Sequence, residues 1–532
     1  MDFSTSYLPY GETGAFSNIV TDYISGAEAL RPFYLHGPDM AGIEAAIAAR
    51  QAFATDRALL VAQLEAQYAA MPSSEAVHKN IQLLKSDTTF TVCTAHQPNI
   101  FTGHLYFIYK ILHAIKLAEH LSAQLPQYNF VPVYYMGSED ADLEELGEVT
   151  IDGQTYHWQT KQTGAVGRMV VDDALLQLIQ AMAGQLLVLP HGAEIINLLQ
   201  SCYTKGTTIE QATFHLVHGL FAQYGLVVLL PDNAALKKTM QPIFEDDLFH
   251  HTANDIVAAT STRLEEKYKA QAYPRPINLF YLGDGIRERI ETTADGFTVL
   301  NTALTFAKDE MLETLAQQPQ LFSPNVILRG LYQETILPNV AFVGGGGELA
   351  YWLQLKDLFV HYGVPYPVQI LRNSFLVMAT DMVAKAKGLS LTDNDLFNSE
   401  TALLNALVLH DSGDALLLTT EQTALTDYYT QLANKAAAVD PTLQKHVLAL
   451  QAKALHKVQA LEKKMLRAKK RNYDAQQRHI HALKSTLFPK GNLQERIESL
   501  LPFYGRYGRQ FIQELYAASP ALEQVFGLLK KN

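Results

Sequence analysis

Four short stretches of this chain gather side chains able to do chemistry. The first follows a β-branched-rich run, Phe90 to Ala95, that reads as a buried strand starting a strand–loop–helix unit. His96, Gln97, Asn99, Thr102 and His104 crowd into the loop, with Gly103 among them, between two apolar elements. Thr102 stands just before Gly103 and an apolar-periodic run (Leu105, Ile108, Tyr109, Leu112, Ile115, Lys116), where it is placed to cap a helix. A helix start offers unpaired N–H groups and partial positive charge. A glycine there lets a ligand approach the backbone, and an anion gains ~0.3–2 kcal/mol from the helix end. The same features also describe an ordinary βα turn, with His104 satisfied by its neighbours.

The second stretch is Glu139, Asp140 and Asp142, behind a second strand candidate, Phe130 to Met136. Open α/β sheets bind ligands at such strand ends. These carboxylates suit a substrate ammonium or Mg2+, or simply the N-terminus of a short helix at 142–146. The third is Gly344, Gly345, Gly346 and Gly347, closing a strand at Val340 to Val343, with Glu348 opening a helix. Four glycines suggest a place where the backbone must come close to something, or a tight turn. The spacing is neither the dinucleotide fingerprint nor a Walker A loop. The fourth is Arg372-Asn373-Ser374, at the end of a strand over Val364 to Leu371.

The elements that must position these groups are those of an α/β protein. At 532 residues, 48% hydrophobic and 18% charged, the chain has room for two to four domains with a large core. A net charge of −12 disfavours a nucleic-acid partner; only 453–478 is locally basic. Cys93 and Cys202 support neither a disulfide framework nor a cysteine-based zinc site, and Cys93 reads as core packing. With no signal-peptide pattern and no apolar run of about 18 residues, the expected location is the cytoplasm. Residues 149–171 suggest small antiparallel strands and 173–222 helices; Gly225 to Pro231 and Asn278 to Leu282 read as strands, with Arg287 and Arg289 just beyond. From 416 to 487 two apolar stripes flank Asp440-Pro441, the pattern of an antiparallel helical hairpin whose seam is interrupted at Asn472 and His479. The expected fold is a Rossmann-like parallel sheet with helical insertions and an antiparallel coiled-coil hairpin. Its expected divisions are an arm and first core half (1–148), a connecting insertion (149–222), a second core half (223–385), a coiled coil (386–488) and a C-terminal segment on the core (489–532).

The run TAHQPNIFTGHLYFIYKI resembles the signature of the cysteine ligase family of bacillithiol biosynthesis. Four further stretches are similar to that family: the acidic run Glu139, Asp140, Asp142, Glu145; the run AFVGGGGELAYW at 341–352; Arg329 and Gln333, with Gly330 where the family pattern has proline; and LFPKGNLQER near the C-terminus. The order of the T-G-H loop, the Gly-rich acidic loop and the Arg-Asn-Ser loop also resembles the signature order of class I aminoacyl-tRNA synthetases. Phe101 replaces the first histidine of their H-x-G-H motif, and the lysines of their K-M-S-K-S motif are missing.

These resemblances imply a ligase that adds L-cysteine to the amine of glucosaminyl malate, with ATP activating the carboxylate, AMP or ADP released and Mg2+ as an accompanying ion. They imply catalytic roles for Thr102, Glu348 and Arg372. They imply binding roles for Thr94, Gln97, Asn99, Gly103, His104, Glu139, Asp140, Asp142, Gly344, Gly345, Gly346, Gly347, Tyr351, Trp352, Asn373 and Ser374. They bring Lys490 and Arg496 toward the nucleotide, although a helix-capping turn explains that run equally well. The expected partners are small molecules and a second copy through the coiled coil, without nucleic acid or membrane. The alternatives are another amino-acid-activating ligase or nucleotidyltransferase, or a coiled-coil dimer scaffold with a degenerate nucleotide site.

Overall fold

The computed structural model describes residues 2–412 and 417–532. The chain forms two compact units: residues up to Leu376 with Asn492–Leu529, and Val377–Gly491 with Lys530–Asn532. Among the described residues, no helix is long and apolar enough to cross a membrane.

The first unit is built on five parallel strands: β1 (Thr89–His96), β2 (Asn129–Met136), β3 (Val227–Leu229), β4 (Asn339–Gly344) and β5 (Val368–Leu371). Their spatial order is β5-β4-β1-β2-β3, with Cys93 opposite both Val133 and Phe342. β1 is central, and every one of its residues is buried. Parallel strands covered on both faces are apolar throughout rather than alternating, which is why FTVCTA reads as a strand without a period-2 signal. Helix α1 (Leu105–Gln124) follows β1, and helix α2 (Gly346–Tyr362) follows β4. Leu117 and Leu121 of α1 join Phe90, Val92, Val343 and Ile370 of the sheet and Ile43 and Ile47 of the helix Met40–Gln51 in one apolar cluster.

Two long insertions interrupt the succession of strands in this unit. Between β2 and β3 lie the one-turn helix Leu143–Leu146, the hairpin Glu148–Ile151/Gln154–His157 and three longer helices, Asp173–Leu186, Gly192–Cys202 and Ile209–Phe221. Between β3 and β4 lie five helices, the last of them Val326–Ile336, and a five-stranded antiparallel sheet running from Leu279–Gly283 to Phe322–Pro324. The sequence shows only the first strand of that sheet, because the others are short or charged, as in Ile286–Thr292. In the second unit, helices Thr419–Val439 and Leu443–Lys470 form the hairpin, with Asp440-Pro441 at its turn. Leu416, where the hairpin pattern begins in the sequence, lies outside the described residues. The second stripe does stop short: the helix ends at Lys470, and a separate one runs from Asp474 to Leu487.

Two buried polar clusters hold the first unit. Arg50 donates to the Glu334 carboxylate at 3.0 Å, the Glu334 carbonyl at 2.8 Å and the Asn339 carbonyl at 3.1 Å. This ties the helix Met40–Gln51 to the entry of β4. Asp247 accepts hydrogen bonds from the Asn278 backbone N–H at 2.6 Å and side-chain amide at 3.0 Å. The Asn278 side-chain oxygen in turn accepts from the Asn325 amide at 3.0 Å. Arg50→Met leaves the Glu334 carboxyl buried without its cation, and breaking such a pair costs about 3–5 kcal/mol; urea unfolding followed by circular dichroism reads this loss. Burial pushes the Asp247 carboxyl up from 3.8 to about 7. A folded-state value above the unfolded one gives stability that is present at low pH and lost as pH rises through the folded value. The stability of the wild type relative to Asp247→Asn is therefore expected to decline from about pH 4 to about pH 7. A difference that instead grew with pH over that window would contradict the assignment.

Candidate active site

The sheet order changes direction between β1 and β4, and the carboxyl ends of those two strands open into a crevice, the usual place for a ligand in an open α/β sheet. A cavity of about 360 Å³ lies there. β1 delivers His96 and Gln97 to it, β2 delivers Gly137, Glu139 and Asp140, and β4 delivers Gly345, Gly346, Gly347 and Glu348. Arg287 and Pro324 come from the antiparallel sheet, Arg329 from the helix before β4, Arg372 from the end of β5, and Arg496 from the C-terminal segment.

Lys110, one turn into α1, is 2% exposed. It donates to the Ala95 carbonyl at 2.7 Å and forms an ion pair with Glu348. Glu348 also accepts from the Gly345 N–H at 2.8 Å, closing the first turn of α2. One lysine thus fastens the end of β1 to the start of α2 across the crevice. Burial lowers the Lys110 ammonium, with Glu348 opposing it. Burial also holds the His96 imidazole well below its usual range, and nearby Lys110 pushes the same way, so His96 is neutral.

Arg372 is paired with Glu495 at 2.7 Å, donates to Ser374 Oγ at 3.0 Å and lies over the Tyr106 ring at 5.1 Å. Arg329 donates to the Tyr351 hydroxyl at 2.9 Å, and Arg287 donates to Ser323 Oγ at 3.3 Å. Among the described residues, Arg287, Arg329 and Arg496 form no ion pair. Of the lining carboxylates, Glu139 pairs with buried Lys237 and accepts from Ser323 at 3.0 Å. Burial raises Glu139 in spite of Lys237. Asp140 accepts from Gln97 at 3.0 Å. Burial alone would raise Asp140, but Gln97 and Arg287 outweigh it and keep the carboxylate ionised. The cavity therefore presents an excess of fixed positive charge, suited to phosphate or carboxylate groups.

Gln97, Glu139, Asp140, Gly345, Gly346, Gly347, Glu348, Tyr351 and Arg372 come together here as a group. His96, Arg287, Arg329 and Arg496, also named from the sequence, join them, whereas Thr94, Asn99, Thr102, Gly103, His104, Asp142, Gly344, Trp352, Asn373 and Ser374 do not line the cavity. Thr102 does not cap α1: the capping position belongs to His104, and α1 starts at Leu105. Phe101 and Thr102 both adopt positive φ, 55° and 75°, which turns the chain before the helix and leaves Thr102 buried. The first helical N–H, from Leu105, donates to the Glu498 carbonyl at 2.8 Å, and the His104 ring meets the Ile497 carbonyl at 3.1 Å. The C-terminal segment therefore takes the helix end that the sequence assigned to an anion. Gly103 is needed for packing, since a Cβ there would sit 2.7 Å from Asn99 Cβ and φ is +59°.

Thr94 donates to the Val343 carbonyl at 2.8 Å within the sheet, and Asn99 donates to the Glu145 carbonyl at 3.4 Å. Asp142 caps the helix Leu143–Leu146. Gly344 ends β4, where a Cβ would meet the Phe342 ring at 2.8 Å. Trp352 packs on the same ring, centroids 4.8 Å apart. The Asn373 N–H donates to the His113 ring at 3.0 Å, and Ser374 donates to Glu495 at 3.1 Å. Lys490 belongs to the second unit. Among the described residues, no three metal-ligand side chains cluster. Lys110 escapes the sequence reading, although a lysine inside an otherwise apolar helix was the available signal.

Residues 3–373 match the family model described as bacillithiol biosynthesis BshC, N-terminal Rossmann-like domain, and residues 375–531 match its C-terminal coiled-coil domain. The BshC of Flavobacterium johnsoniae, provisionally named a cysteine ligase, is 36% identical over 99% of both chains. The BshC of Cytophaga hutchinsonii, under the same name, is 38% identical over 97% of this chain and 96% of its own. Model matches along nearly the whole length, with relatives of this identity and coverage, place the chain in the BshC family of bacillithiol biosynthesis.

Proposed function

We propose that this protein is an ATP-dependent ligase that joins the carboxyl carbon of L-cysteine to the amine of glucosaminyl malate, the last step of bacillithiol synthesis, in the cytoplasm. The observation that carries the reading is the crevice between β1 and β4, in which Arg287, Arg329 and Arg496 stand without ion-pair partners among the described residues.

The chemistry requires such a site. A carboxylate is a poor electrophile at carbon. Attack of the cysteine carboxylate on the α-phosphorus of ATP forms a mixed anhydride and releases pyrophosphate. The amine then attacks the carbonyl carbon, the carbon–nitrogen bond forms, the bond to the phosphate oxygen breaks, and AMP leaves as the nitrogen gives up a proton. Both steps carry negative charge on phosphate oxygens, and guanidinium groups fixed in a crevice stabilise that charge without reorganising. Arg372 is neutralised by Glu495 and orients its neighbours, so the arginines without ion pairs supply the net field. Asp140, kept ionised, suits a substrate ammonium or an Mg2+ that enters with the nucleotide. The exposed Tyr428, Leu448 and Leu461 of the hairpin support pairing with a second copy.

Mass spectrometry of reactions containing the protein, cysteine, glucosaminyl malate and ATP is expected to show bacillithiol and AMP in equal amounts. ADP in place of AMP would replace the mixed anhydride by an acyl phosphate, and product formed without nucleotide would remove the ATP requirement. Arg329→Met is expected to lower kcat/KM roughly 100-fold, the scale for loss of one fixed charge-stabilising donor, with the far-ultraviolet circular dichroism spectrum unchanged. Light scattering coupled to gel filtration is expected to give a dimer mass, reduced to a monomer in a Leu448→Glu, Leu461→Glu double variant. A monomeric wild type would sink the pairing.

A further inference from the structure

A second cavity of about 600 Å³ opens beside the first, and Asn325, Val326, Gly347, Glu348 and Tyr351 line both. A ligand seated in it can therefore reach the reaction crevice without leaving the cleft. Its volume falls in the range of about 300–1,000 Å³ typical of small-ligand sites. Its walls differ from those of the main crevice. Ala272, Ile277, Leu279 and Phe280 make them largely apolar, and Tyr273 stands on the rim at 62% exposure. The Phe280 ring forms part of the partition, because Arg287 of the main crevice lies over it at 4.1 Å.

The glycine run between the cavities separates packing from function. A Cβ at Gly344 would meet the Phe342 ring at 2.8 Å, so packing demands that glycine, and one at Gly346 would press on Val20 Cγ2 at 3.0 Å. At Gly347 a Cβ would meet nothing nearer than the Gln271 side-chain nitrogen at 4.0 Å, and the backbone has no positive φ there. Glycine in a helix is less stable than alanine. Gly347 therefore weakens the first turn of α2 without any packing need, at the threshold the two cavities share.

Resting on the ligase reading, we infer that this second cavity holds the base of the nucleotide substrate, with its phosphates extending past Gly347 to the arginines of the crevice. A flat heteroaromatic group gains from apolar walls and from an exposed aromatic ring. The hydroxyls of a sugar would gain nothing from Ala272, Ile277, Leu279 and Phe280, which a flat ring can cover. Arg275 and Arg289 line this cavity without an ion pair among the described residues and are free to meet the ring nitrogens.

Isothermal titration calorimetry of the full chain with ATP, adenosine and glucosaminyl malate tests the assignment. Gly347→Val narrows the threshold and is expected to weaken ATP and adenosine by about tenfold or more, the low-to-middle range for loss of base contacts, and to weaken glucosaminyl malate less than either, since Gly347 also borders the reaction crevice. Tyr273→Ala, a rim substitution that disturbs no core packing, is expected to weaken adenosine about fivefold. Weakened glucosaminyl malate with unchanged ATP would assign the cavity to the sugar and overturn the inference, as would nucleotide binding indifferent to both variants. Product formation separates this from the parent reading. Bacillithiol formed with ATP while adenosine ignores both variants removes the base site alone. Adenosine lost in both variants of a protein that makes no bacillithiol keeps the base site and removes the ligase.

Discussion

The reach of Lys110 from α1 to Glu348 at the start of α2 is the contact on which the geometry of the crevice depends. A buried ammonium costs several kcal/mol unless it is paired and hydrogen-bonded. Lys110 meets both needs, through Glu348 and the Ala95 carbonyl. Both partners sit at the place where the sheet order reverses, so the pair can form only when β1 and β4 lie side by side with their ends level. Glu348 is at the same time held by the Gly345 N–H. The glycine turn, the strand end and the helix start are thus fixed by one charge pair, and the surrounding arginines are arrayed around it.

A second constraint comes from the two ends of the first unit. Tyr10 donates to the Arg372 carbonyl at 3.0 Å, and Glu495 binds the Arg372 guanidinium. The C-terminal segment takes up the first N–H of α1 through the Glu498 carbonyl and brings Arg496 to the cavity. A segment distant in sequence therefore decides which helix end is open. It covers the start of α1 and leaves the start of α2 facing the crevice.

The glycine run and the acidic run were legible because each is local: four glycines after a strand, and carboxylates at a strand end, keep their meaning wherever the chain goes. Glu348 and Asp140 follow from that reading, and Gln97 from the density of polar side chains in the loop after β1. Thr102 shows where local rules stop. Its position before an apolar run fits a cap, but the positive φ of Phe101 and Thr102 turns the backbone first, and the cap falls to His104. Trp352 and Asn373 sit next to site residues in sequence yet serve the core, because neighbours along a helix or strand point in different directions.

The sequence by itself determined the parallel sheet, the strand–loop–helix units and the helical hairpin. Hydrophobic periodicity and turn residues specify those within a few residues of chain. It also carried the family, through motifs spread over most of the length. Only the tertiary structure decided which charges meet. Arg287, Arg329 and Arg496 come from a sheet, a helix and a terminal segment separated by many residues, and their shared lack of ion-pair partners among the described residues around one cavity is a property of distances in space that no spacing along the chain encodes.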